Sequence, residues 1–268
     1  MKKQYWFLLS LLSILTIGIN YSCNNSGGEN TENTTEKATV PAISYSITAT
    51  LPHDTSYFTE GLEFYDSTLL ESTGLNGQSK LVQYNPKTGK VLNRVKLDST
   101  YFGEGITVLH DTLYQLTYQQ NIVFVYDVRT FKKLTQLPFK GEGWGLTNDG
   151  KNIIASNGSS SLYYYEPGTF KLLKELNVTE NGNPVPNINE LEYVDGYIYA
   201  NQWQYNYIIK IDPSSGNVVG KSDLTDVVKR TNTAQDNVLN GIAYNSITKK
   251  LYITGKNWPT MYEIEFSH

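Results

Sequence analysis

Cysteine occurs once in the chain, at Cys23, so no internal disulfide can brace the fold and no Cys-x-x-Cys metal or redox pair exists. Histidine is scarce as well. His53, His110 and His268 are far apart and show no ligand spacing, and each reads as a loop residue. The sequence has no Gly-x-Ser-x-Gly elbow, no phosphate-cradling glycine loop and no His-Glu-x-x-His pair, which removes the commonest hydrolase, nucleotide-binding and zinc-protease signatures. A net charge of −4 without any polybasic run leaves no electrostatic footprint for nucleic acid or anionic lipid, and no nucleic-acid partner is expected. Long apolar runs are absent too, apart from Trp6 to Ile19, which is shorter than a membrane span.

That apolar stretch follows Lys2 and Lys3 and has the flanks of a secretory signal, so residues 1–22 are read as a signal peptide. Cys23 stands just beyond it. The segment Ile19-Asn20-Tyr21-Ser22-Cys23 is a loose lipobox lacking the usual leucine three residues before the cysteine. It fits acylation after cleavage, as in bacterial lipoproteins, with plain secretion as the other reading. Residues 23–40 then form a polar Asn/Gly/Thr/Glu-rich tether expected to be disordered. The expected location is outside the cytoplasm, as a lipid-anchored protein facing the periplasm or cell surface.

Residues 41–268 carry a repeat. Similar blocks open at Glu60-Gly61-Leu62-Glu63, Glu104-Gly105-Ile106-Thr107, Trp144-Gly145-Leu146-Thr147, Asn189-Glu190-Leu191-Glu192 and Asn240-Gly241-Ile242-Ala243. The period, about 40 to 50 residues, suits a four-stranded antiparallel blade. Within each block, short runs such as Leu113-Tyr114-Gln115-Leu116 and Ile122-Val123-Phe124-Val125-Tyr126 have strand composition. Turns such as Asn85-Pro86-Lys87-Thr88-Gly89 and Asp212-Pro213-Ser214-Ser215-Gly216 set φ with proline early and accept positive φ at glycine late. The fifth block ends after its third strand, and the unmatched alternating segment Ile43 to Leu51 is expected to supply the fourth. The fold class is therefore all-β: one five-bladed β-propeller, its last blade closed by the N-terminal strand. Helix is expected only near Leu224 to Arg230, capped by Asp223 or Thr225. The 21 tyrosines are expected mainly as packing between blades.

Blade packing needs glycine and an apolar residue at each opening turn. It does not need Glu60, Glu104 or Asn189 just ahead of them, nor Phe58 and Phe102 two residues earlier. These side chains should ring one mouth of the axial channel, together with Trp144, Trp203 and Lys256. Tyr118, Gln202 and Asn240 are further candidates for the same pocket.

At these residues the chain resembles the plant-type glutaminyl-peptide cyclotransferases, a family that also occurs in bacteria. The resemblance runs from Phe58-Thr59-Glu60-Gly61-Leu62 through Phe102-Gly103-Glu104-Gly105, Gly143-Trp144-Gly145-Leu146, Asn189-Glu190-Leu191-Glu192-Tyr193 and Asn201-Gln202-Trp203 to Asn240-Gly241-Ile242-Ala243 and Gly255-Lys256. It implies a five-bladed propeller that converts N-terminal glutaminyl residues of peptides or proteins to pyroglutamate and releases ammonia. It also implies an acid/base role for Glu104, aromatic walls at Phe58, Phe102, Trp144 and Trp203, and polar substrate contacts at Glu60, Asn189 and Lys256. Two positions depart from the family pattern. Glu60 replaces a usual glutamine, and Tyr118 stands where a tryptophan is common. A second carboxylate beside Glu104 should make the two titrate jointly.

The residue types suit that chemistry. The substrate's α-amine must attack its own γ-carbonyl while one proton leaves the amine and another reaches the departing nitrogen, and a single carboxyl can shuttle both. Lys256, Asn189 or an indole N–H would stabilise the oxyanion. This scheme requires no cofactor or metal and is compatible with a structural cation in the channel. The expected partners are peptide or protein substrates beginning with Gln, the membrane through the lipid, and no second copy of the chain. A non-catalytic surface propeller that binds peptide or glycan is the main rival reading, and a metal-dependent propeller lactonase or hydrolase is the other.

Overall fold

Residues 39–231 and 233–267 are described by a computed structural model. The signal peptide, Cys23 and nearly all of the tether lie outside the described residues, as does His268. Five four-stranded antiparallel sheets follow one another along the chain. Their innermost strands are Thr59–Tyr65, Gly103–Leu109, Leu146–Asn148, Ile188–Val194 and Leu239–Asn245, and each touches the next around the ring. Among the described residues no helix is long and apolar enough to cross a membrane.

The ring closes as the repeat count implies. Tyr45–Pro52 pairs antiparallel with Thr260–Phe266 as the outer strand of blade 5, with alternate residues half-buried and exposed. This covers an edge that would otherwise offer free backbone groups to another chain. The strap begins earlier than expected, because Ile43 donates to the Lys221 carbonyl at 2.8 Å and Lys221 donates to that of Pro41 at 3.0 Å. The N-terminal segment therefore ties blade 4 to blade 5.

Buried side chains gather in five clusters, each spanning one blade interface, and buried tyrosines such as Tyr84, Tyr126, Tyr164 and Tyr252 lie in them. A helix, Thr225–Thr231, follows blade 4, and the Asp223 carboxylate accepts the Thr225 amide at 2.9 Å as its cap. The hairpin turns after the third strands only partly follow expectation. The left-handed position is glycine in blades 1 and 4, at Gly89 and Gly216, but it is Phe131 and Phe170 in blades 2 and 3. Phe170 stacks on Tyr165 with ring centroids 5.0 Å apart, and this burial compensates a backbone conformation that a β-carbon resists.

The segments read as opening turns are a correction to the sequence reading: in four blades they lie inside the innermost strands, as β-bulges. Thr59 pairs with Thr73 and Gly61 with Ser72, which leaves Glu60 without a partner. Glu104 and Gly105 together face Leu116, Asn189 and Glu190 face Asn201, and Asn240 and Gly241 face Thr254. A bulge bends its strand and re-aims the extra side chain. The recurring polar residue ahead of each glycine is therefore the one that leaves the ladder.

Candidate active site

The bulges form the floor of one cavity of about 1010 Å³, at the end of the ring where innermost strands begin and second strands finish. Phe58, Glu60, Phe102, Glu104, Trp144, Asn189, Trp203 and Lys256 all line it. Tyr118 lines it as well. Gln202 turns away to donate to the Pro186 carbonyl at 3.0 Å, and Asn240 lies beneath the floor, donating to the Thr59 carbonyl at 2.9 Å and to Glu60 at 3.3 Å.

The aromatic walls rest on glycines. A β-carbon at Gly158 would meet the Trp144 ring at 2.6 Å, and one at Gly74 would strike the Phe102 ring, so both indole and phenyl lie flat against bare backbone. Phe58 and Phe102 meet edge to face at 6.3 Å, Phe102 and Tyr118 are 5.8 Å apart, and Trp144 and Trp203 cross at 82° with centroids 5.7 Å apart. All five rings are half-buried.

The polar floor has a defined charge pattern. The Lys256 ammonium donates to both Glu60 oxygens, at 2.6 and 2.7 Å, and stands 4.5 Å over the Phe58 ring. Both side chains are almost fully enclosed. Burial pushes the Glu60 carboxyl up, while Lys256 pulls it back. Glu104 is different. It lines the cavity and accepts no hydrogen bond among the described residues. Burial first, and then the charge of Glu60, drive its carboxyl well above the usual range, with Lys256 only partly opposing them. Glu104 is therefore an enclosed carboxyl with its pKa raised by burial and by Glu60, beside the Glu60–Lys256 ion pair.

Below this floor lies a set of acids to which sequence reasoning assigned no role. The innermost strands turn one backbone edge toward the axis, where no further strand can pair with it. Glu190 accepts the Leu62 amide at 3.2 Å and the Ile242 amide at 2.8 Å, bridging blades 1 and 5 from blade 4. Glu192 accepts the Tyr244 amide, Thr147 the Tyr193 amide and Asn201 the Gly241 amide. These side chains satisfy amides that would otherwise be orphaned in a closed hub.

Another wall was not legible in the sequence either: it is built by Val228, Lys229 and residues 233–238 between blades 4 and 5. Among the described residues no group of three or more metal-binding side chains comes together.

Known proteins share both the sequence and this fold. The glutamine cyclotransferase family model matches residues 21–266. A glutaminyl-peptide cyclotransferase of Arabidopsis thaliana is 41% identical over 226 residues, covering 82% of this chain and 70% of the relative. The crystal structure of Myxococcus xanthus glutaminyl cyclase superposes with a TM-score of 0.80 at 32% identity, over 85% of this chain and 98% of that one. With a family match along almost its whole length and the same propeller in a solved relative, the chain belongs to the glutamine cyclotransferase family.

Proposed function

We propose that this cavity binds the N-terminal glutaminyl residue of a peptide and closes it to pyroglutamate with loss of ammonia, and that Glu104 moves both protons. The observation that carries the reading is a single carboxyl without a hydrogen-bond partner among the described residues, held among aromatic walls beside the Glu60–Lys256 pair. The cavity, at about 1010 Å³, is as large as sites that enclose drug-sized ligands, which suits a peptide end better than a lone amino acid.

In the proposed sequence the aromatic walls fold the glutamine side chain back, so that the neutral α-amine lies against its own γ-carboxamide carbon. The nitrogen–carbon bond forms and the carbonyl electrons move onto oxygen. Lys256 has three N–H bonds and spends two on Glu60, which leaves one for that oxyanion. Glu104 gives its proton to the departing amide nitrogen, the old carbon–nitrogen bond breaks, and ammonia leaves. The resulting carboxylate takes the proton from the new ring nitrogen and is restored. Neither Glu60 nor Lys256 changes charge in this cycle.

The test is ammonia release from a Gln-initiated dipeptide. Turnover by the wild-type protein and a loss of at least a hundredfold in kcat for Glu104→Gln, with the dipeptide still bound, are expected. Binding without turnover in the wild-type protein would refute the reading.

A further inference from the structure

His53, which reads as a loop residue in the sequence, is fully enclosed. Its Nδ1 lies 2.7 Å from the Trp258 carbonyl oxygen, and its Nε2 lies 3.1 and 3.2 Å from the two Glu71 carboxylate oxygens. Neither the His53 nor the Glu71 side chain has any exposed surface. Since a carbonyl only accepts, Nδ1 carries a proton. Glu71 already accepts the Thr59 hydroxyl at 2.7 Å on one oxygen and the Tyr84 hydroxyl at 2.8 Å on the other. Both Glu71 oxygens thus already accept hydroxyl bonds, and Nε2 is assigned as the donor to them. Burial by itself would lower the imidazole pKa; the charge and hydrogen bond of Glu71 outweigh it and raise it. The other titratable groups around the ring are Tyr57, edge-on at 5.7 Å, Tyr84 and Asp54, with Lys80 above Tyr57.

The position of this ion pair matters more than its charge. Glu71 holds Thr59, the residue before Glu60 and after Phe58. His53 holds the carbonyl of Trp258, two residues after Lys256, while its own amide donates to the Pro259 carbonyl at 3.1 Å. Asn257 is tied to the same segment, through its amide to the Tyr57 carbonyl at 2.8 Å and through its side chain to the Thr55 carbonyl at 2.9 Å. Trp258 extends the connection, because its indole donates to the Asn237 carbonyl at 2.7 Å in the wall between blades 4 and 5. The Glu60 and Lys256 charges thus sit on two chain segments, from blades 1 and 5, that meet at the seam of the ring. The His53–Glu71 pair joins those segments from behind.

We propose that His53 and Glu71 are positioning residues for the cyclisation site: a buried imidazolium–carboxylate pair that sets the separation of Glu60 and Lys256, and with them the Phe58 wall. The inference rests on the cyclotransferase reading of the cavity. Misplacing a positioning group by about 1 Å can cost about a hundredfold in rate, so the pair need not touch substrate to govern turnover.

The test uses the full-length protein with a Gln-initiated dipeptide, comparing His53→Asn, Glu71→Gln and the double variant at a temperature where unfolding curves show each to be native. The His53→Asn change retains a donor toward Trp258 but not the charge, and Glu71→Gln retains the shape but not the anion. A fall in kcat of about tenfold or more in each single variant is expected, with the double variant no worse than the poorer single, as for one unit. A role confined to stability would lower the melting temperature and leave kcat of the native fraction unchanged, which would overturn the proposal. Should the variants fail to fold, ¹⁵N chemical shifts of His53 in the wild-type protein decide the matter: a doubly protonated ring at pH 6.5 is expected, and a neutral ring would overturn it. Absence of ammonia release by the wild-type protein would instead count against the cyclotransferase reading itself.

Discussion

Replacing Glu60 by glutamine restores the residue usual in the family and removes one negative charge from the floor of the cavity. Two consequences act in the same direction. Glu104 loses the like charge that helps to raise its carboxyl, and Lys256 loses the counter-ion that it now contacts at 2.6 Å. The freed ammonium then favours an ionised Glu104. An unscreened cation near a carboxyl lowers its pKa by about one to three units, each worth about 1.4 kcal/mol between the two protonation states. Glu104 acts as the proton donor in the proposed cycle, so activity falls as pH rises through its pKa. In Glu60→Gln that alkaline limb of kcat/KM should move down by about one to three units. The measurement is ammonia release against pH, from pH 5 to 9, under kcat/KM conditions. On the alkaline side of the wild-type limb the variant should be at least tenfold slower than wild type, while on the acid side of both limbs the two should converge. Stability near neutral pH should change little, because ionised Glu104 takes over as partner of Lys256. An alkaline limb that stays in place or moves upward would refute the reasoning.

Two further predictions concern the hub. Glu190→Leu leaves the Leu62 and Ile242 amides unpaired in a closed axis, at a cost of about 1–3 kcal/mol for each amide, whereas Glu190→Gln keeps its carbonyl acceptor and should cost roughly half as much; urea unfolding distinguishes them, and equal stability of the two variants would contradict the bridging role. Stability should also fall between pH 5 and 8, since Glu190 and Glu192 are held well above the ordinary carboxylate range by burial and Glu63, half-buried but closely walled, is pushed up to about 8. The unfolded chain releases the Glu63 proton near 4.5 and the folded chain keeps it to about 8, so this group removes on the order of 1 kcal/mol per pH unit within that window, and Glu190 and Glu192 act in the same direction. The acids lowered in surface turns, such as Asp98, Asp127 and Asp212, act below about pH 4 and do not offset the trend. Glu63→Gln should flatten the slope measured by urea unfolding at pH 5, 6, 7 and 8, and a stability that rises across this range would exclude buried neutral acids.

Much of the architecture was readable because repetition exposes it. Five equivalent openings, four of them with glycine, count the blades, and an orphan strand at one end of the repeat with a missing one at the other implies the closure between Tyr45–Pro52 and Thr260–Phe266. The bulges were half visible: the polar residue ahead of each glycine stood out as unneeded for packing, but only the register reveals that it leaves the ladder. His53 was missed because its partner lies 18 residues away on another strand, a separation that corresponds to no motif. A signal existed on the other side. Glu71 interrupts the run Leu69-Leu70-Glu71-Ser72 in a strand buried on both faces, and a carboxylate there needs a donor. Glu190 and Glu192 carried the same signal inside Asn189-Glu190-Leu191-Glu192. Nothing local to the chain marks residues 233–238 as a wall of the cavity, since their place depends on how blades 4 and 5 meet. Nor does composition reveal that Phe131 and Phe170 adopt left-handed backbone, because aromatic packing rather than propensity decides those turns.

The hub also separates a reactive acid from structural ones. Innermost strands that converge on an axis expose backbone amides to a space too closed for another strand, and carboxyls of Glu190 and Glu192 fill that need. Burial raises Glu60, Glu63, Glu104, Glu190 and Glu192 alike, so a raised carboxyl does not by itself mark a site in this fold. Hydrogen bonding does. Glu190 and Glu192 are held by backbone amides, and Glu71 by two hydroxyls and an imidazole, so each is committed to neighbours that fix its geometry. Glu60 is committed to Lys256. Glu104 shares the enclosure of the others and none of their bonds, and its bulge directs it into the cavity between aromatic walls. The desolvation that a closed propeller imposes on its structural acids also raises the carboxyl of Glu104, and in the proposed cycle the absence of local partners would leave its proton to the substrate.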